Sequence, residues 1–186
     1  MPVAALLTPA ARQLSEELLA NDTDRWKHVQ GVVGVAREVV NDLTSAEQDI
    51  VVAAAWLHDI GYAPALLDTG MHALDGALHL ARLSLPADLV GLVAFHTGAV
   101  FEAEERGLHE AMAMFTAPPA DLLDRLTVAD LSVGPEGQRV APAERIEEIL
   151  DRYDPHDPVH RAVTRSRADL LRAVERVTGT PGGHPM

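Results

Sequence analysis

The chain has 186 residues, with 15 Lys and Arg against 28 Asp and Glu, a formal net charge of −13, and no Cys. Its length suits one well-cored domain rather than two large ones. Its acidity argues against gripping a nucleic-acid polymer by charge, and without Cys there are no disulfides, thiolate ligands or Cys nucleophiles, so any metal site must be built from His, Asp or Glu.

The opening Met1-Pro2-Val3-Ala4-Ala5-Leu6-Leu7 has no basic leader, and Pro9 and Arg12 break its apolar run. It reads as neither a secretory signal nor a membrane span, which predicts a soluble, cytoplasmic protein. Thr8-Pro9-Ala10 has the form of an N-cap followed by Pro at the first helical position, opening a helix through Leu14, Leu18 and Leu19 to about Asn21-Asp22. A second helix, from about Thr23-Asp24 to Asn41-Asp42, lines up Trp26, Val29, Val32, Val33, Ala36, Val39 and Val40 at spacings of three and four and carries His28 in its first turns. Thr44-Ser45-Ala46-Glu47 is a capping box, so the third helix begins at Ser45 and runs to about His58. Being apolar on nearly every face, it is the candidate central helix.

That helix ends in Trp56-Leu57-His58-Asp59-Ile60-Gly61-Tyr62. An imidazole beside a carboxylate at the edge of a core needs a partner: either the pair caps the helix end, or it holds a divalent cation. Beyond a connector holding Pro64, Asp68, Thr69 and Gly70, a fourth helix runs from His72 to Arg82; Gly76 within it costs about 1 kcal/mol relative to Ala, which close approach of a neighbour would explain. Pro86 opens a fifth helix that ends at Phe95-His96-Thr97-Gly98. The segment 101–115 is expected to be helical in part. A helix from about Ala120 reaches Asp130 and gives way to a loop, Gly134-Pro135-Glu136-Gly137. Pro142 to Tyr153 and Pro158 to about Val177 are amphipathic helices with no candidate site residue, and 179–186 has the composition of a flexible tail. No strand-like alternation stands out, so the fold class is all-α.

His28, the pair His58-Asp59, His72, His96 and Asp130 each place a ligand type at a helix end or on an apolar helix, and helices packed as a bundle can aim such residues at one point. The order His, His-Asp, two further His, then Asp resembles the HD-domain superfamily of metal-dependent phosphohydrolases, over about Trp26 to Gly137. The resemblance implies a helical bundle with a central metal site, core 24–137 and C-terminal helices 142–178 within one domain, 1–178. It implies that His28, His58, Asp59 and Asp130 hold one ion and that His72 and His96 are the additional histidines of the dinuclear members, with Asp59 as the bridging, catalytic carboxylate. His79, two turns beyond His72, is expected to be surface or packing. The remaining histidines, His109, His156, His160 and His184, are expected in solvent.

The implied cofactors are divalent ions, two of them, drawn from Fe, Mn, Zn or Mg. The implied reaction is hydrolysis of a phosphoester of a small nucleotide or other phosphorylated metabolite by a metal-bound hydroxide, with no nucleic-acid polymer and no membrane as partner. An anionic substrate is compatible with an acidic chain because bound cations reverse the local field. Arg25, Lys27, Arg82 and Thr97 are candidate substrate-binding residues. The same ligands could instead serve a mixed-valence diiron oxygenase of HD type, or a non-catalytic ligand-binding module. The pair is followed by Ile60-Gly61-Tyr62-Ala63-Pro64, without the acidic pair of the bifunctional alarmone hydrolases or the Gly-Tyr-Pro signature of the cyclic-dinucleotide phosphodiesterases.

Overall fold

The computed structural model describes residues 7–179, and among them the chain is all-α: ten α-helices and no β-strand, only an isolated bridge between Val133 and Arg139. The helices are α1 (Leu7–Leu19), α2 (Thr23–Val39), α3 (Ser45–Leu57), α4 (His72–Arg82), α5 (Ala87–Phe95), α6 (Ala99–Glu105), α7 (His109–Met112), α8 (Ala120–Leu131), α9 (Pro142–Arg152) and α10 (Pro158–Thr178). Short 3-10 turns follow α3 (Ile60–Tyr62) and α5 (His96–Gly98). No helix among the described residues is long and apolar enough to cross a membrane.

The local signals act as the sequence suggests. Thr44 and Glu47 close the expected reciprocal capping box at the head of α3, while Asp22, read as the close of the first helix, caps α2 through the Arg25 amide. One expectation fails: Thr8 lies inside α1 instead of capping it, and its hydroxyl sits 3.4 Å from the Asp49 carbonyl of α3. The expected tail begins at Gly179, which closes α10 in the left-handed conformation (φ 66°); residues 180–186, with His184, and residues 1–6 lie outside the described residues.

The core is built around α3, whose Val51, Ala53, Ala54, Ala55 and Leu57 are fully buried. It packs against α1, α2, α5 and α8, and its alanines let those helices approach closely. A smaller cluster, Val128, Leu131, Ile146, Leu170 and Val174, fastens α9 and α10 to α8. Arg161 and Arg165 of α10 also pair with Glu105 of α6, at 2.7 and 2.6 Å. Exposed pairs of this kind contribute little, so the apolar cluster is what holds the C-terminal helices down.

Candidate metal centre

The packing of α2, α3, α4, α5 and α8 brings all six predicted ligand residues together. Two triads stand side by side: His28, His58 and Asp130 in one, Asp59, His72 and His96 in the other, with the ligand atoms of each within 4.8 Å of one another. His28 and His58 flank Asp130 Oδ1 at 3.1 and 3.8 Å. Asp59 joins the triads: its Oδ2 is 3.5 Å from His58 Nε2 and 3.8 Å from His28 Nε2, while its Oδ1 is 3.5 Å from His72 Nε2. His72 and His96 meet Nε2 to Nε2 at 3.1 Å.

Backbone carbonyls decide which nitrogen of three of the four rings faces inward. Nδ1 of His58 lies 2.9 Å from the Ala55 carbonyl, Nδ1 of His96 2.7 Å from the Val93 carbonyl, and Nδ1 of His28 3.1 Å from the Gly134 carbonyl. Each of these Nδ1 atoms therefore carries the proton and donates it, which at His58 and His96 leaves the Nε2 lone pair for the centre, the usual outer support of a metal-bound histidine, while Nε2 of His28 is engaged with Asp130 Oδ1 at 3.1 Å. The carbonyl at His28 comes from the loop after α8. That loop packs directly on α2, and a Cβ on Gly137 would stand 2.6 Å from the Lys27 carbonyl oxygen.

These features separate the two readings of the His-Asp pair. Asp59 makes no side-chain cap at the turn it precedes. Its carboxylate turns inward, and Nε2 of His58 is buried with no hydrogen-bond partner among the described residues. A buried lone pair facing two carboxylates and further imidazole nitrogens is a cost that a cation removes. The donor set, four imidazoles and two carboxylates, suits a divalent ion of the iron, manganese or zinc type.

The same charges set the protonation of the site. Burial opposes ionisation of Asp59, but Arg25, His58 and His72 hold its carboxyl well below the usual range. Asp130 is likewise kept ionised against burial by its hydrogen bond from His28 and by the field of His58. Burial pushes His58 down and His72 down to about 3, so both present neutral rings. For His28, burial is overcome by the hydrogen bond to Asp130 and the charges of Asp130 and Asp59, and its pKa is raised.

A model of the HD domain matches residues 25–171. The chain belongs to the HD-domain family. No curated protein and no solved structure is matched by it. Membership brings the chain into a superfamily of metal-dependent hydrolases. The HD match runs past Gly137, where the sequence resemblance stopped, through α9 and into α10.

Of the predicted substrate-binding residues in this HD domain, two stand at the centre and two do not. Arg25 Nη1 donates to Asp59 Oδ2 at 2.6 Å, and Thr97 Oγ1 donates to Asp130 Oδ2 at 2.5 Å. Thr97 holds φ 45°, costly for a β-branched residue and sustained here by that bond. Lys27 is exposed beside Asp24, and Arg82 is exposed at the far end of α4; neither lines the cavity over the centre. His79 is half-buried, as is His160, while His109 and His156 are exposed.

Other residues at the site escaped the sequence reading. Tyr62 is sandwiched between Arg25, 3.9 Å from its ring centre, and the His72 ring, 4.2 Å away and within 12° of parallel. The cavity over the centre has a volume of about 100 Å³, and much of its wall comes from α9 and α10, including Arg145, Arg152, Tyr153 and Ser166. The last third of the chain therefore supplies part of the cavity wall. Nothing in their local sequence marks them; an Arg on an amphipathic helix reads as solvated until the helix is docked.

Proposed function

We propose that this HD domain is a metal-dependent phosphohydrolase acting on a phosphoester of a small phosphorylated metabolite or nucleotide, as a soluble cytoplasmic enzyme without a nucleic-acid polymer or a membrane as partner. The observation that carries the reading is Asp59 standing between two triads whose imidazoles turn Nε2 inward. His28, His58 and Asp130 would hold one divalent ion, His72 and His96 the other, and Asp59 both. Bound there, two such ions would acidify a water and screen the charge on a phosphoryl group.

The side chains supply the rest. Their Nδ1 bonds to carbonyls keep three imidazoles from swinging out of position. Thr97 orients Asp130, and Arg25, stacked on Tyr62, orients Asp59 and adds a positive charge beside the place a phosphoryl group would occupy. The helices α9 and α10 narrow the opening and limit access of water.

The test is a screen of phosphorylated metabolites for phosphate release with manganese, iron, zinc and magnesium, alongside elemental analysis of the purified protein. Asp59→Ala is expected to lose bound metal and phosphate release together. An active, metal-loaded Asp59→Ala protein sinks the proposal. Oxygen consumption by the iron-loaded protein, with no phosphate release under argon, replaces it with the oxygenase reading.

A further inference from the structure

Arg145 is an unusual residue to find in α9. It is only 7% exposed, while Glu144, Glu147 and Asp151 of the same helix are exposed. Its Nη1 donates to Glu148, and its buried Nε has no hydrogen-bond partner among the described residues. A guanidinium that stays charged at any pH is expensive to bury with one carboxylate, and Glu148 is not even its own: the same carboxylate is shared with Arg152, whose Nε reaches it at 2.9 Å. Two guanidiniums against one carboxylate leave a net positive charge on this wall.

That wall faces the metal centre across the cavity, since Arg145 and Arg152 line the same space as His28, Asp59, His72, His96 and Asp130. Two neighbours make it a site rather than a stray charge. Among the described residues, Ser166 of α10, 1% exposed, has its hydroxyl engaged only by a 3.4 Å contact to the Val163 carbonyl, too long to occupy it fully. Glu102, the acid in the wall, is neutralised by Arg106 at 2.7 Å, so it does not oppose an anion there.

We propose that Arg145, supported by Arg152 and Ser166, forms a second anion-binding subsite, and that the ligand of this HD domain carries two anionic groups: a phosphoryl group at the metal centre and a carboxylate or second phosphate at Arg145. The inference rests on the phosphohydrolase reading for the first of those groups. A guanidinium takes either anion through paired N–H donors, which makes the subsite selective for planar or tetrahedral oxyanions over a neutral hydroxyl. Glu148 sets its strength by holding back part of the positive charge.

The experiment is calorimetric titration of the manganese-loaded protein with 2-carboxyethylphosphonate and with propylphosphonate, two ligands that differ in the terminal carboxylate and have no ester bond to hydrolyse. The carboxylated ligand is expected to bind about tenfold more tightly or better. Arg145→Met is expected to abolish that preference while leaving propylphosphonate within about twofold, and Glu148→Gln, at a residue half in solvent, to strengthen the preference by about twofold to fivefold. The gain remains measurable if Arg145→Met fails to fold. Equal affinity for the two ligands, no binding of either, or a Glu148→Gln protein that loses the preference overturns the subsite. Discrimination without phosphate release from any ester leaves the subsite standing and removes the hydrolase reading instead.

Discussion

Arg25 and Asp59 are joined at 2.6 Å through Asp59 Oδ2, the oxygen that also lies 3.5 Å from His58 Nε2 and 3.8 Å from His28 Nε2. A guanidinium thus balances the carboxylate that spans the two triads. Cations at the centre would take over much of that role.

Removing Arg25 should therefore matter most when metal is absent. Arg25→Met is expected to destabilise the chelator-treated protein by about 2 kcal/mol, below the range for a fully buried pair because the Arg25 side chain is 23% exposed. The loss should be smaller in the manganese-loaded protein. Urea unfolding with and without manganese measures both; equal losses would show that metal does not relieve Asp59.

Gly61 is where the turn after α3 meets the head of α4. A Cβ there would stand 1.9 Å from the His72 carbonyl oxygen and 2.8 Å from the Gly76 amide nitrogen, which also explains why a glycine is tolerated inside α4. Gly61→Ala is expected to cost about 3 kcal/mol and, by pushing the start of α4 outward, to lower the manganese bound per chain. Thermal melting and metal analysis on the same sample check it, and an unchanged protein would mean the two segments are not so close.

Thr97 couples backbone strain to ligand position. Thr97→Gly relieves the strain at φ 45° but loses the bond to Asp130, so stability should stay within about 1 kcal/mol while metal affinity falls roughly tenfold. Competition with a coloured chelator gives the affinity. A drop in stability with affinity intact would reverse the assignment.

Acid should weaken the metal-free protein. Burial, only partly offset by Asp59, takes His72 from 6.5 down to about 3, so between those values the unfolded chain binds a proton that the folded chain does not. The depressed carboxyls of Asp59 and Asp130 add the same sign below 3.8. Stability from these groups is complete above pH 6.5 and is lost as pH falls toward 3. His28, with its raised pKa, acts oppositely near neutrality: its contribution is present below 6.5 and fades as pH rises through the raised value. The urea midpoint against pH measures the sum, and His72→Gln should flatten the acid limb; an acid limb as steep in that variant as in the parent would discount His72.

The helices and the six candidate ligand residues were legible in the chain because their signals are local. The capping box at Thr44 and the apolar face of α2 depend on residues a few positions apart, and a buried His or Asp stands out against an apolar run. The gathering of His28, His58, Asp59, His72, His96 and Asp130 at one place could be inferred from sequence only through a family resemblance, since periodicity gives each helix a face but does not say which faces meet.

What tertiary structure alone decided is the surroundings of those ligands. Which nitrogen of His58, His96 and His28 faces inward depends on carbonyls of Ala55, Val93 and Gly134, and the last arrives from 106 positions away. That Arg25 and Thr97 reach the centre while Lys27 and Arg82 do not follows from the rotation of α2 and the length of α4, which no charge pattern encodes. Arg145 and Ser166 look like ordinary residues of wet helices until Ile146, Leu170 and Val174 dock α9 and α10 on α8 and turn one side of each toward the cavity. A side chain's identity is fixed in the sequence, but its dielectric and its partners are set by contacts between distant segments.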